Sequence, residues 1–331
     1  MRDTLLPLLR CPRTGRALTL VDPVCDGDEV LEATLVTEGS PHDAERWSVR
    51  RGVPRFVPAA NYADSFGFQW NRFPGTQLDS VSGLRISRDR FLGQWSLPEE
   101  WFAGRRILDV GCGAGRFAEV CLSLGAEVVA VDLSGAVDAC YTSLRHHPKL
   151  HVVQASVYEL PFAPGTFDGA YSFGVIQHTP DVRRTFHAIV PMVRPGGELA
   201  IDVYKRDWKS WLHPKPWLRP LTSRVPANTL FQAIERAAPT LLAASHLAGS
   251  VPVVGRALRR AVPVADYEGT LPLDARQRLE WAVLDTFDWL SPRYDQPQTG
   301  ETMRAWAAEA GLVDVRVHHP AHLTLRARRP D

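Results

Sequence analysis

Cysteine is scarce in this chain: five residues in 331, scattered and odd in number, at Cys11, Cys25, Cys112, Cys121 and Cys140. That usage excludes a disulfide framework and fits reduced thiols in a cytoplasm. Long hydrophobic runs are missing as well. None reaches the roughly 18 residues of a membrane span, so no membrane partner is expected. The opening Met1-Arg2-Asp3-Thr4-Leu5 lacks the charged start, apolar middle and small-residue cleavage site of a secretory signal, and a cytoplasmic location is the expectation. A surplus of one charge is absent too, with 38 basic residues against 37 acidic ones and a formal net charge of +1. No global field steers such a chain to nucleic acid or an anionic membrane. The basic run 326–329 reads as a solvated strand end. There is no internal repeat and no low-complexity tract. What remains is a length suited to one large domain with extras or two smaller ones, and an ordinary apolar fraction of 45% that can fill a sizeable core.

Residues 1–60 alternate short apolar runs (17–21, 30–35, 46–49) with Gly, Pro and Asp turns, the pattern of a small β-rich module. Residues 61–104 are rich in aromatics and read as loop and short helix, a linker or cap. From Arg105 the pattern changes. Strand-length apolar runs at 106–110, 127–131, 151–154, 169–172 and 198–204 alternate with helix-length segments at 116–124, 136–146 and 182–193. This is the signature of a parallel sheet covered by helices. A helix at 302–310 precedes two more strands, 313–318 and 323–328, spaced for an antiparallel pair. The stretch 205–298 interrupts this order. It carries many prolines, five of the ten tryptophans and helical runs near 230–238 and 279–287. Its length is too great for a plain loop, and a helical lid inserted beside the sheet is expected.

The segment Asp109-Val110-Gly111-Cys112-Gly113-Ala114-Gly115-Arg116 follows a strand and opens a helix. Glycines there permit a tight turn and a close backbone approach to a ligand, and the helix N-terminus offers N–H groups and a positive dipole end suited to a carboxylate. A dinucleotide site needs G-x-G-x-x-G. Here the spacing is G-x-G-x-G, and Arg116 stands where the third dinucleotide glycine belongs. Asp109, two residues before the first glycine, has a carboxylate able to bind or indirectly orient a cationic amino group. The second strand ends Val131-Asp132-Leu133-Ser134, one βαβ step after the glycines. An acid at that tip can accept both hydroxyls of a ribose.

These residues, with Leu160-Pro161-Phe162, Gly165-Thr166-Phe167-Asp168, Gly174-Val175-Ile176-Gln177-His178-Thr179-Pro180-Asp181 and Arg194-Pro195-Gly196-Gly197-Glu198, resemble the class I S-adenosylmethionine-dependent methyltransferases, in their ubiquinone-biosynthesis-like branch. The resemblance covers about residues 105–204. It implies an α/β, Rossmann-like, seven-stranded sheet built from 105–204 and 299–331, with the small β-rich N-terminal module and the helical lid attached. It implies S-adenosylmethionine as cofactor, with Asp109, Gly111, Gly113 and Gly115 along its methionine part and Asp132 and Leu133 at its ribose and adenine. Cys112, Arg116 and Phe173 are counted with these binding residues. The family's acidic residue after the third strand is replaced by Gln154-Ala155-Ser156-Val157, so Ser156 and the Val157 backbone are the candidates for the adenine amino group.

Methyl transfer chiefly requires nucleophile, methyl and sulfur in line. A base is needed only for an acceptor protonated at working pH. His178, after the fourth strand at the ligand-binding edge of the sheet, has the chemistry of a base or a substrate hydrogen bond. The bland reading is a helix cap or loop brace. Tyr204, beyond the fifth strand, is a second acceptor-side candidate. Trp70, in the aromatic segment before the core, and Arg293 and Tyr294, at the end of the insertion, are the candidate substrate contacts. For the two last residues, surface salt bridging is the rival reading.

The N-terminal segment, with Leu5-Leu6-Pro7-Leu8-Leu9-Arg10-Cys11-Pro12 and Trp47-Ser48-Val49-Arg50-Arg51-Gly52-Val53-Pro54-Arg55-Phe56, resembles a small zinc-ribbon module that elsewhere acts as an activator of tRNA and translation-factor methyltransferases. The C-x-x-C of such a site reads Cys11-Pro12-Arg13-Thr14 here, with only Cys25 nearby, so no metal is expected. The expected function is methyl transfer to oxygen, nitrogen or carbon of a small-molecule acceptor, with oligomeric state unspecified. A tRNA or protein methyltransferase and a non-catalytic cofactor-binding regulator are the alternatives.

Overall fold

The computed structural model describes residues 1–39, 44–58, 60–206, 213–319 and 322–331. Four strands, β1 (Leu18–Asp26), β2 (Glu29–Thr37), β3 (Arg46–Arg50) and β4 (Val53–Arg55), occupy the N-terminal segment. Next come β5 (Arg106–Val110), β6 (Glu127–Asp132), β7 (Leu150–Gln154), β8 (Phe167–Ser172) and β9 (Val193–Val203), alternating with helices, and then β10 (Val313–His318) and β11 (Leu323–Arg328). All lie in one sheet of order β1-β2-β3-β4-β7-β6-β5-β8-β9-β11-β10. The strands from β5 to β9 run parallel to one another, while β11 is antiparallel to β9 and to β10.

Seven strands, from β7 across to β10, answer the expected sheet, but the sheet does not stop there. Strand β4 pairs with β7 in parallel, with Arg55 opposite Gln154, and β3, β2 and β1 continue it by antiparallel pairing. The N-terminal segment therefore shares the sheet. It shares the core too, since Leu5, Leu9, Leu35 and Val49 join one hydrophobic cluster with Leu108, Val129 and Phe186. The physical reason is the edge of β7: an unpaired strand edge must be covered, and β4 covers it. The central strands are apolar on both faces, as burial of Val128, Val129, Ala130 and Val131 requires.

Residues 61–104 form helices Asp64–Arg72, Asp79–Ser82 and Ile86–Trp95. Phe91 and Trp95 of the last helix pack edge-on against Tyr171 of β8. The insertion contributes helices Lys215–Thr222, Ala227–Gly249, Gly255–Ala261 and Ala275–Leu290; its start, 207–212, lies outside the described residues. The helix Ala275–Leu290 opens with a capping box between Asp274 and Gln277. Phe231 and Phe287 of the insertion meet Phe68 of helix Asp64–Arg72 in a separate apolar cluster, which seats the insertion over the C-terminal ends of the strands. No helix among the described residues is long and apolar enough to cross a membrane.

Candidate functional site

The loop after β5 is fixed by backbone. Gly111 and Cys112 both donate to the Val131 carbonyl of β6, at 2.7 and 3.0 Å. At Gly113, with φ +53°, an added Cβ would lie 3.1 Å from the Trp70 indole nitrogen, so the indole closes directly over the bare backbone. The second strand tip is tied to this loop. The Gly113 N–H donates to Asp132 Oδ2 at 3.0 Å, and Ser134 donates through its backbone (2.8 Å) and hydroxyl (2.7 Å) to Oδ1. Burial pushes the Asp132 pKa up, against these hydrogen bonds that favour the charged form.

A cavity of about 600 Å³ opens along these strand ends. One end is walled by Gly111, Cys112, Gly113, Asp132, Leu133 and Val157, with Phe173 beside them and Trp70 above. The other end holds Arg116, Arg90, His178, Tyr204 and His322, under a roof of Tyr267, Trp281, Asp285, Asp288 and Trp289 from the insertion. His178 sits on the short helical turn Ile176–His178, between the rings of Phe66 at 5.4 Å and Tyr204 at 5.5 Å. Its Nδ1 is 2.9 Å from the Tyr294 carbonyl, and its Nε2 is buried with no partner among the described residues. Burial lowers its pKa from the usual value, against the pull of Asp288 and Asp295. Tyr204 Oη donates to Asp288 Oδ2 at 3.4 Å. Burial raises the pKa values of Asp285 and Asp288, and cations oppose it: Arg116 and Arg90 at the first, Lys215 and Arg219 at the second. Arg116 is held by Ser87 Oγ at 3.0 Å and Gln77 Oε1 at 2.9 Å, with its guanidinium 5.5 Å from the Trp281 ring centroid. Burial lowers its pKa to about 9.

Of the residues expected from sequence, Gly111, Cys112, Gly113, Arg116, Asp132, Leu133, Val157, Phe173, Trp70, His178 and Tyr204 line this one cavity. Five do not. Asp109 is buried in the sheet layer beside Tyr171, and its pKa is pushed up to about 8, chiefly by desolvation. Gly115 turns toward helix Ala136–Leu144, where an added Cβ would lie 2.6 Å from Leu144 Cδ1. Ser156 caps the following turn, its hydroxyl accepting from the Tyr158 N–H at 3.2 Å. Arg293 is exposed, because the helix has ended at Leu290 and the chain turns outward at Pro292. Tyr294 stands behind the wall, its carbonyl accepting from His178 and Arg219 and its ring packed edge-on against Tyr62. Sequence reasoning missed Asp285 and Asp288. The available signal was a pair of acids at i and i+3 on the inward face of an otherwise apolar helix segment.

Residues 108–201, which run from β5 into β9 and include the glycine loop, match the family model for a methyltransferase domain. Among curated relatives, the ubiquinone biosynthesis O-methyltransferase of Alkalilimnicola ehrlichii is 37% identical over 114 residues, 33% of this chain and 45% of that protein. The O-methyltransferase resE of Aspergillus sclerotiorum is 35% identical over 127 residues, covering 37% and 48%. The chain thus spans about half the length of the curated relatives it matches. A solved structure of human N-acetylserotonin methyltransferase in complex with SAM aligns at TM-score 0.46 and 14% identity, over 83% of this chain and 61% of that one.

Proposed function

We propose that this chain is an S-adenosylmethionine-dependent methyltransferase acting on a small-molecule acceptor, with a hydroxyl oxygen as the acceptor atom. One observation carries the reading: a single cavity joins the glycine loop and Asp132 to His178 and Tyr204. Its donor end fits the cofactor. Gly111 and Gly113 let Val175 and Trp70 pack against bare backbone at the cavity wall, and the Asp132 carboxylate retains lone pairs for ribose hydroxyls beyond those used by Gly113 and Ser134. Enclosure under the insertion suits a small molecule rather than a polymer. The relatives named as O-methyltransferases support oxygen as the acceptor.

When bound, the donor supplies a methyl group activated by its sulfonium. The chain's own residues do the rest by position and by one proton transfer. The Tyr294 carbonyl accepts the His178 Nδ1–H, which selects the tautomer with a free lone pair on Nε2. Burial keeps that ring neutral near pH 7. Nε2 would take the acceptor's hydroxyl proton, leaving the oxygen free to accept the methyl group, and the donor would leave as S-adenosylhomocysteine. Tyr204, tied to Asp288 and packed edge-on beside the His178 ring, orients the acceptor next to Nε2. The test is incubation of the full chain with methyl-labelled donor and a cell extract. Label in the small-metabolite fraction is expected. Label in the RNA or protein fraction would overturn the acceptor class, and donor binding with no transfer to any fraction would favour a regulator.

A further inference from the structure

Resting on that reading, we propose that Arg55, at the end of β4 in the N-terminal segment, is a positioning residue for the adenosine end of the methyl donor, acting through Gln154. Arg55 never reaches the cavity. Its Nη1 donates to Gln154 Oε1 at 2.8 Å, and its Nη2 pairs with Asp138 Oδ1 at 2.6 Å. Both residues of the relay are packed away from water: the Arg55 side chain is 9% exposed and Gln154 3%. With its oxygen taken by the guanidinium, the Gln154 amide has one orientation left, and its Nε2 donates to the Leu133 carbonyl at 3.0 Å. Leu133 and the preceding Asp132 both line the donor end of the cavity.

The chemistry of each residue type explains the arrangement. A guanidinium offers only donors and a backbone carbonyl only accepts, so the group between them must accept on one side and donate on the other. A primary amide does both. A carboxylate at 154 would satisfy Arg55 better and face the Leu133 carbonyl with a second acceptor. The relay directs the Leu133 carbonyl to Gln154 on β7, and Asn61 Nδ2 donates to the same carbonyl at 3.1 Å. The loop that carries Asp132 is thereby gripped by a strand outside the methyltransferase segment.

The experiment is calorimetric titration of the full chain and two variants with S-adenosylhomocysteine and, separately, with 5′-methylthioadenosine, which carries the adenosine end alone. Arg55→Ala and Gln154→Glu are each expected to bind both ligands about tenfold more weakly, the first by losing a charge-assisted hydrogen bond and the second by setting a carboxylate against the Leu133 carbonyl. Gln154→Glu keeps the Arg55 contact, so its thermal midpoint stays near that of the parent while its affinity falls; a merely structural role would not produce that split. Parent-like affinity in both variants would overturn the Arg55 assignment and leave the methyl-donor reading standing. Failure of the parent chain to bind either ligand would overturn the methyl-donor reading itself.

Discussion

The two ends of the cavity are built by different means. At the donor end, most wall residues follow the tip of a parallel strand, and backbone hydrogen bonds hold them: Gly111 and Cys112 to the Val131 carbonyl, Ala155 to the Asp132 carbonyl. At the acceptor end, walls arrive from separate stretches of chain and are joined mainly through side chains, such as Arg116 to Gln77 and Ser87, and Tyr204 to Asp288. A backbone-built end can keep one ligand while sequence varies around it. A side-chain-built end can be re-cut for a new acceptor without disturbing the donor. Changes at the donor end should therefore cost affinity, and changes at the acceptor end should cost turnover.

The largest effect is expected at Asp132. Asp132→Ala removes the proposed ribose contact and also releases the Gly113 N–H and Ser134, loosening both loops of the donor end. Two or more hydrogen bonds to a charged group correspond to a loss of about a hundredfold or more in affinity for S-adenosylhomocysteine, measurable by calorimetry. An unchanged affinity would end the ribose assignment and much of the contrast between the two ends.

His178 tests the other side of the comparison. His178→Gln should lower kcat by about a hundredfold, the lower range for a positioned base, while the affinity for S-adenosylhomocysteine stays at the parent value. The pH profile gives the sign. Only the neutral ring accepts a proton, so activity rises as pH climbs through the His178 pKa. Burial depresses that pKa below its usual 6.5. Half-maximal kcat should therefore fall on the acid side of pH 6.5 in the parent and vanish from the profile of the variant. A midpoint above 6.5 would remove His178 as the base.

The same contrast explains what could be read from the sequence. The strand at 106–110 and the glycine spacing announce the donor end because they are local: a positive φ, a strand end and a helix start lie within ten residues. Asp132 follows one βαβ step later. The acceptor end has no such locality. Asp285 and Asp288 face the cavity because the insertion docks through Phe231 and Phe287 onto Phe68, and that contact joins residues more than 150 positions apart, so the acids' own neighbourhood does not name their partner. Arg293 and Tyr294, five to nine residues further along the chain than these acids, lie beyond the end of the helix and so fall outside the cavity. Three of the four N-terminal strands were legible as strands; β4 (Val53–Arg55) was not. Their merger into the main sheet was not, because it turns on the parallel pairing of Arg55 with Gln154, a contact between residues far apart in sequence.

The smallest expected effect concerns Asp109, which belongs to the donor end by sequence and to the buried sheet layer by position. It is 2% exposed and its Oδ2 has no hydrogen-bond partner among the described residues. Burial pushes its pKa up to about 8, opposed by Tyr171 and reinforced by Asp132. A carboxyl free in the unfolded chain titrates near 4. Between those two values the folded protein holds a proton that the unfolded chain has lost, so stability falls as pH rises through the window. Asp109→Asn removes that dependence. Its thermal midpoint should match the parent near pH 4 and exceed it by a few degrees at pH 8, with affinity for S-adenosylhomocysteine within about threefold of the parent, since no wall residue is lost. A loss of affinity as large as that of Asp132→Ala would instead move Asp109 into the donor wall, where its carboxylate would meet the cationic amino group of the ligand. The single variant thus decides whether the donor end is built from loop backbone and one acid, or from two acids on adjacent strands.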